Sequence, residues 1–148
     1  MKISVSSYSF SQQFRLGKMT QLDCVAKAKE MGFDAIEFTD LVGDDLAQQK
    51  EYAKKIRQEA DRVGIEINAY TIGANLFQPT PEAQAAEVER LKGQVEVAAI
   101  LGAKVMRHDV CYALGKTGAS RSFGLMLPTI ADGARQVTAY AETLGIKT

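Results

Sequence analysis

Apolar positions along this chain switch between two periods. Apolar residues three and four apart predict helices, and short alternating apolar and polar stretches predict strands. Ile3 and Val5 alternate with serines, so residues 2–10 read as strand one. Leu22, Val25, Ala28 and Met31 form the stripe of a first helix starting at Thr20, where Thr20-x-x-Asp23 resembles a capping box with Asp in place of Glu. Strand two covers residues 35–39. Helix two runs from about Asp45 to residue 63, with Tyr52, Ala53, Ile56, Ala60 and Val63 on one face. Strand three covers residues 65–70. Thr80-Pro81-Glu82 opens helix three with a threonine cap and a proline at the first helical position, and Val88, Leu91, Val95 and Ala98 continue it. Strand four covers residues 104–108. Helix four carries Ile130, Ala134, Val137, Ala141 and Leu144, with Pro128 marking its first turn. Residues 146–148 open a fifth strand.

Glycine punctuates this pattern. Gly32, Gly64, Gly102 and Gly145 each follow a helix, at intervals of 32, 38 and 43 residues. Glycine takes the left-handed conformation of a helix stop without steric cost. The unit of helix, glycine and strand cannot bury its apolar face alone, which is why it repeats. Alternation of this kind predicts parallel strands joined by crossover helices. Each helix reaches the next strand within one or two residues of its glycine. Each strand reaches the next helix through roughly eight to fourteen residues, a length typical of functional loops. The long loops therefore leave from the C-terminal ends of the strands, where α/β folds place their sites. Residues 74–80 and 110–122 are the candidate mobile loops.

Four such units form either an open doubly wound sheet or half of an eightfold barrel. The turn after strand one, SQQFRLGKM, has one late glycine and no GxGxxG, and the repeated unit looks alike each time. Both points favour the barrel.

Composition narrows the function. A chain of 148 residues predicts a single domain, 1–148. Eighteen basic residues balance eighteen acidic ones, which leaves no electrostatic footprint for nucleic acid or an anionic membrane. The N-terminus lacks the apolar run of a signal peptide, and no stretch approaches the length of a membrane span. Cys24 and Cys111, without a CxxC, read as reduced thiols of a cytoplasmic protein.

Candidate chemistry gathers at strand ends. Arg107, His108 and Asp109 close strand four. Arg107 offers a planar fork for an anionic or polyhydroxyl ligand, and His108 or Asp109 can move a proton or reach a metal. A rim ion pair with a packed histidine is the structural alternative. Glu37, between Ile36 and Phe38, points inside the barrel by alternation, where a carboxylate is costly unless paired or functional. Glu37 and Arg107 each lie five residues past their glycine, so they are expected to share a layer and pair, for function or for structure. Tyr8, Phe10, Tyr70 and Phe77 lie near the same mouth, either to stack on a ligand ring or as ordinary core. The phosphate-loop reading of Leu114-Gly115-Lys116-Thr117 fails, because Val110 stands where its first glycine is needed and Gly118 interrupts helix entry.

MKISVSSYSF, AKEMGFDAIEFTD, LGAKVMRHD and AETLGIKT resemble the N-terminal half of the sugar (phosphate) isomerase/epimerase family, with its xylose isomerase-like TIM barrel. The resemblance implies an α/β fold of four βα units, half of a TIM (β/α)8 barrel. It implies a divalent metal (Mn, Mg, Zn or Co) in the complete mouth, held chiefly by carboxylates and histidines on strands five to eight. The chain stops at Thr148, before the carboxylate expected on strand five. Most of the metal site is therefore expected in the missing C-terminal half, and binding of none by this chain stays open. The reaction implied is proton transfer or hydride shift between adjacent carbons of a small sugar or sugar phosphate. Glu37, His108 and Asp109 are the expected catalytic residues. Arg107, Tyr8, Phe10 and Tyr70 are the expected substrate contacts. A half barrel leaves two strand edges open, so a homodimer is expected through them, with no nucleic-acid or membrane partner. Two other readings remain: a non-catalytic self-associating half barrel, and an apurinic-site endonuclease-type metal hydrolase. One histidine and zero net charge argue against the latter.

Overall fold

The computed structural model of the chain describes residues 1–112 and 122–148. Its elements, in chain order, are β1 (Ser4–Ser6), a 3-10 turn (Ser7–Phe10), α1 (Ser11–Arg15), α2 (Asp23–Glu30), β2 (Ala35–Thr39), α3 (Leu46–Val63), β3 (Glu66–Ile72), α4 (Pro81–Leu101), β4 (Val105–His108) and α5 (Phe123–Thr143).

One closure is used four times. Gly32, Gly64, Gly102 and Gly145 all have positive φ. The residue after each returns its N–H to an alanine carbonyl five positions back: Phe33 to Ala28, Ile65 to Ala60 and Ala103 to Ala98 at 3.1 Å, Ile146 to Ala141 at 3.0 Å. This is the six-to-one bond of a glycine-stopped helix, and it satisfies carbonyls the helix cannot. Helix starts are equally explicit. Asp45 caps α3 by accepting the Gln48 N–H, and Thr80 caps α4 by accepting the Ala83 N–H with Pro81 behind it. Thr20 and Asp23 exchange the predicted reciprocal bonds before α2.

All strand pairs are parallel, in the order β1-β2-β3-β4. A doubly wound sheet reverses its order at a switch point. This sheet does not, so it is a stretch of barrel wall. Lys147 bridges Val105 in parallel, where a fifth strand was expected.

β3 runs two residues past its expected end, to Ile72, and α2 begins at Asp23 rather than Thr20. Two further boundaries differ for a local reason. The first strand ends at Ser6 rather than Phe10, because the Ser6 hydroxyl accepts the Tyr8 N–H at 3.3 Å and turns the chain into the 3-10 turn. The last helix begins at Phe123, so Pro128 lies inside it. Proline leaves one carbonyl of the preceding turn without a partner, and the flanking Leu127 and Thr129 are exposed, so water can reach that turn. Residues 114–117, and most of the loop 110–122, lie outside the described residues.

The core lies between the sheet and its helices. Ile36, Phe38, Ile67, Tyr70, Ile72 and Met106 bury against Ile56, Leu91, Val95 and Leu101. Each such side chain contributes roughly 1.5–3 kcal/mol by leaving water. One polar ring runs through this layer. Tyr70 Oη donates to Gln94 Oε1 (2.8 Å), Gln94 Nε2 to Gln49 Oε1 (2.7 Å), Gln49 Nε2 to the Leu41 carbonyl (3.2 Å), and the Leu41 N–H returns to Tyr70 Oη (3.4 Å). It locks the loop after β2 onto α3, α4 and β3.

Candidate functional site

The inner face of the sheet opens at its C-terminal edge into a cleft of about 380 Å³. Ser6, Glu37, Thr39, Thr71 and Arg107 reach it from four successive strands, and Tyr8, Asp40, Gly73 and Asp109 from the loops that follow them. Alternation explains the arrangement. Ile36 and Phe38 are fully buried on the helix side, so Glu37 projects inward. There the Thr71 hydroxyl donates to Glu37 Oε1.

Arg107 does not pair with Glu37. Its Nη2 donates to Asp109 Oδ1 at 2.9 Å, an ion pair largely open to solvent. The register gives the reason. Glu37 faces Ala69, and Ala69 faces Val105, whereas Arg107 lies one layer higher beside Thr71 and Thr39. Neighbouring strands of a tilted barrel wall are staggered, so equal distances from two glycines do not give equal heights. The expected shared layer is thereby corrected, and the strand-end ion pair takes its place.

His108 also faces away from the cleft. It alternates with Arg107, and its Nδ1 lies 2.8 Å from the Asp109 carbonyl. It lies instead on the side of Glu87 of α4. Burial pushes the Glu87 carboxyl up, but the Arg90 hydrogen bonds (2.8 and 2.9 Å) and the Asn75 N–H outweigh this and hold it below the usual range. Arg90 also donates to the Gly73 carbonyl at 2.8 Å, so this pair braces the loop after β3 from beneath.

Of the four aromatics expected at the mouth, Tyr8 is there, 71% exposed. Tyr70 and Phe10 are not. Tyr70 is completely buried in the polar ring, where burial pushes its phenol far above the ordinary range, and Phe10 packs in the core. Phe77 lines a separate cleft of about 530 Å³ between the β3–α4 loop and α5.

Asp40 belongs to the site and was not singled out from the sequence. It follows the last residue of β2, as Asp109 follows that of β4, and this shared position was the available signal. Burial pushes its carboxyl up, the Gly73 N–H and the Arg90 charge push it down, and the Asp109 charge adds to the rise. The divalent metal implied by the resemblance finds no cage: among the described residues no three His, Cys, Asp or Glu side chains converge to hold one. Cys24 is buried, with its thiol pushed up to about 12 by burial, and Cys111 is half-buried, and both are free. No described helix is long and apolar enough to cross a membrane.

The sequence profile of a family described as xylose isomerase-like TIM barrel matches residues 25–148. Solved structures show the same fold at low identity. A D-psicose 3-epimerase crystallised in the presence of D-fructose is 19% identical, with a TM-score of 0.76 over 99% of this chain and 50% of its own. The D-psicose 3-epimerase of Clostridium cellulolyticum, solved with D-tagatose, is 16% identical, with a TM-score of 0.74 over 99% of this chain and 50% of its own. The 3-keto-D-glucoside 4-epimerase of E. coli is 17% identical, with a TM-score of 0.63 over 84% of this chain and 48% of its own. The chain thus spans about half the length of these structures. The sequence matches no curated protein at a significant level.

Proposed function

The chain belongs to the xylose isomerase-like TIM barrel family, and from that premise we propose that its cleft forms the substrate-holding wall of a sugar isomerase/epimerase-type mouth. The observation that carries this is the convergence of Glu37, Asp40, Arg107, Asp109 and exposed Tyr8 on one cleft at the strand tips. Carboxylates accept hydrogen bonds from adjacent hydroxyls of a small carbohydrate. The Arg107 fork donates to its oxygens, and Tyr8 covers a ring face. Glu37, held by the Thr71 hydroxyl, and Asp109 are the proposed proton-moving groups, a role supported by their shared cleft. His108 acts one step back, by fixing the main chain at Asp109. The reading routes no step through a divalent cation, since among the described residues no three His, Cys, Asp or Glu side chains form a cage.

The reading extends to assembly and compartment. β1 and the β4 side of the sheet are its open edges. A twofold axis along the strands would set the β1 edge of one copy beside the β4 edge of another with every strand still parallel, so a homodimer closes the wall. The free thiols fit a reducing, cytoplasmic setting.

Titration of the 15N-labelled chain with D-fructose tests the carbohydrate reading. Saturable shifts at the amides of Tyr8, Asp40, Thr71 and Arg107 are expected, and an unmoved cleft overturns it. Sedimentation equilibrium tests the assembly. Twice the 16.1 kDa chain mass is expected, and a persistent monomer refutes the dimer. A chain that dimerises but leaves the sugar untouched fits the non-catalytic half barrel instead.

A further inference from the structure

We propose that this cleft takes the uncharged, hydroxyl-bearing part of its ligand and turns away phosphate and other anionic groups. The inference rests on the carbohydrate reading for what enters, and on the cleft's own donors and charges for what is refused.

Anions bind where donors and positive charge are free. Phosphate is held by unpaired Arg or Lys and by main-chain N–H groups that point at it. Among the described residues of this cleft, negative charge outweighs positive, and the main-chain donors at the strand tips are largely taken. Among the described residues, three carboxylates, Glu37, Asp40 and Asp109, line it against one cation, Arg107. Its Nη2 is given to Asp109 at 2.9 Å, which offsets its charge and leaves its other N–H groups for neutral oxygens. Among the described residues, Arg90 beneath the cleft is held by Glu87 and by the Gly73 carbonyl.

The main-chain donors at the strand tips are spent in the same way. The Tyr8 N–H goes to the Ser6 hydroxyl, the Asp40 N–H to the Thr71 carbonyl (3.0 Å) and the Asp109 N–H to the Ile72 carbonyl (3.3 Å). What remains open is mainly acceptor capacity, on carboxylates that each take several hydrogen bonds. Sugar hydroxyls supply the matching donors. A phosphate supplies only more acceptors, together with charge of the sign the cleft already carries. Such a mismatch rejects a ligand through unpaired groups and like-charge contact. A ligand that bears an anionic group must therefore carry it outside this cleft.

Nuclear magnetic resonance on the full chain decides the matter, with the free hexose of the titration above and inorganic phosphate as probes. In the unaltered chain, phosphate at about tenfold the hexose concentration should leave the Tyr8, Asp40, Thr71 and Arg107 amides in place and should not displace the hexose. In Asp109→Asn the Arg107 guanidinium is released and one negative charge is lost. Phosphate should then shift the Arg107 amide, and hexose affinity should fall severalfold. Phosphate that binds the unaltered cleft, or competes with the hexose there, overturns the proposal. Phosphate that still leaves Asp109→Asn untouched overturns the donor-and-charge account. If neither probe moves the cleft, the carbohydrate reading falls and the exclusion of anions stands.

Discussion

The two faces of this sheet solve opposite problems. The helix side buries Ile36, Phe38, Ile67, Ile72 and Met106, and it closes the Tyr70 hydroxyl into a ring with Gln94, Gln49 and Leu41. The inner side keeps Glu37, Thr39, Thr71 and Arg107 partly or fully exposed, with acceptors to spare. Buried polar groups must be satisfied by neighbours fixed in place, whereas half-exposed ones can leave capacity for a ligand. The same strands, read at odd and even positions, therefore hold stability on one side and chemistry on the other.

The contrast is strongest at adjacent residues. Phe38→Ala removes a fully buried ring and should lower the unfolding free energy by about 3–5 kcal/mol in a urea titration. Tyr70→Phe opens the polar ring and leaves Gln94 Oε1 and the Leu41 N–H short of a partner. A loss of about 1–3 kcal/mol is expected by the same measurement, with the cleft amides still responding to hexose.

Glu87→Gln probes the brace beneath the mouth. The Glu87 carboxyl is held below its unfolded value, so its stabilisation is present above the ordinary carboxylate range and is lost as pH falls through the depressed value. The wild-type midpoint should drop on acidification below about pH 4, and Glu87→Gln should flatten that limb. The difference at neutral pH should stay under about 1 kcal/mol, because Arg90 is partly solvated. Glu37→Gln, next to Phe38, should change stability least, by under about 0.5 kcal/mol. It should nonetheless weaken hexose binding severalfold. A Glu37 variant that unfolds the chain, or a Phe38 variant that does not, would erase the distinction between the faces.

The helix side was the more legible in the sequence, because burial leaves a periodic trace. The stripe Val88, Leu91, Val95, Ala98 is buried as predicted, and the alanines that precede each glycine proved to be the carbonyls that close the helices. Glu37 was legible for the same reason, as the one charge inside an apolar strand. What failed depends on relations between strands or on local turns. The Arg107 layer is set by stagger, which one strand's sequence does not encode. The serines of the first strand alternate like a half-buried strand, but the Ser6 hydroxyl turns the chain instead. Tyr70 counted as an aromatic near the mouth, yet its strand position puts it among the helices. Asp40 escaped notice because it lies one residue beyond its strand, where periodicity no longer speaks.

The strands stand side by side in the order in which they occur along the chain, and this bears on how the molecule is made. A polypeptide leaving the ribosome always finds its docking edge already built, since each new βα unit joins only the one synthesised just before it. Long-range searching is slight, a feature that speeds folding and shortens the exposure of unpaired edges. Growth by accretion from one side also keeps each partly built sheet in its native order, with the newest strand always at its margin.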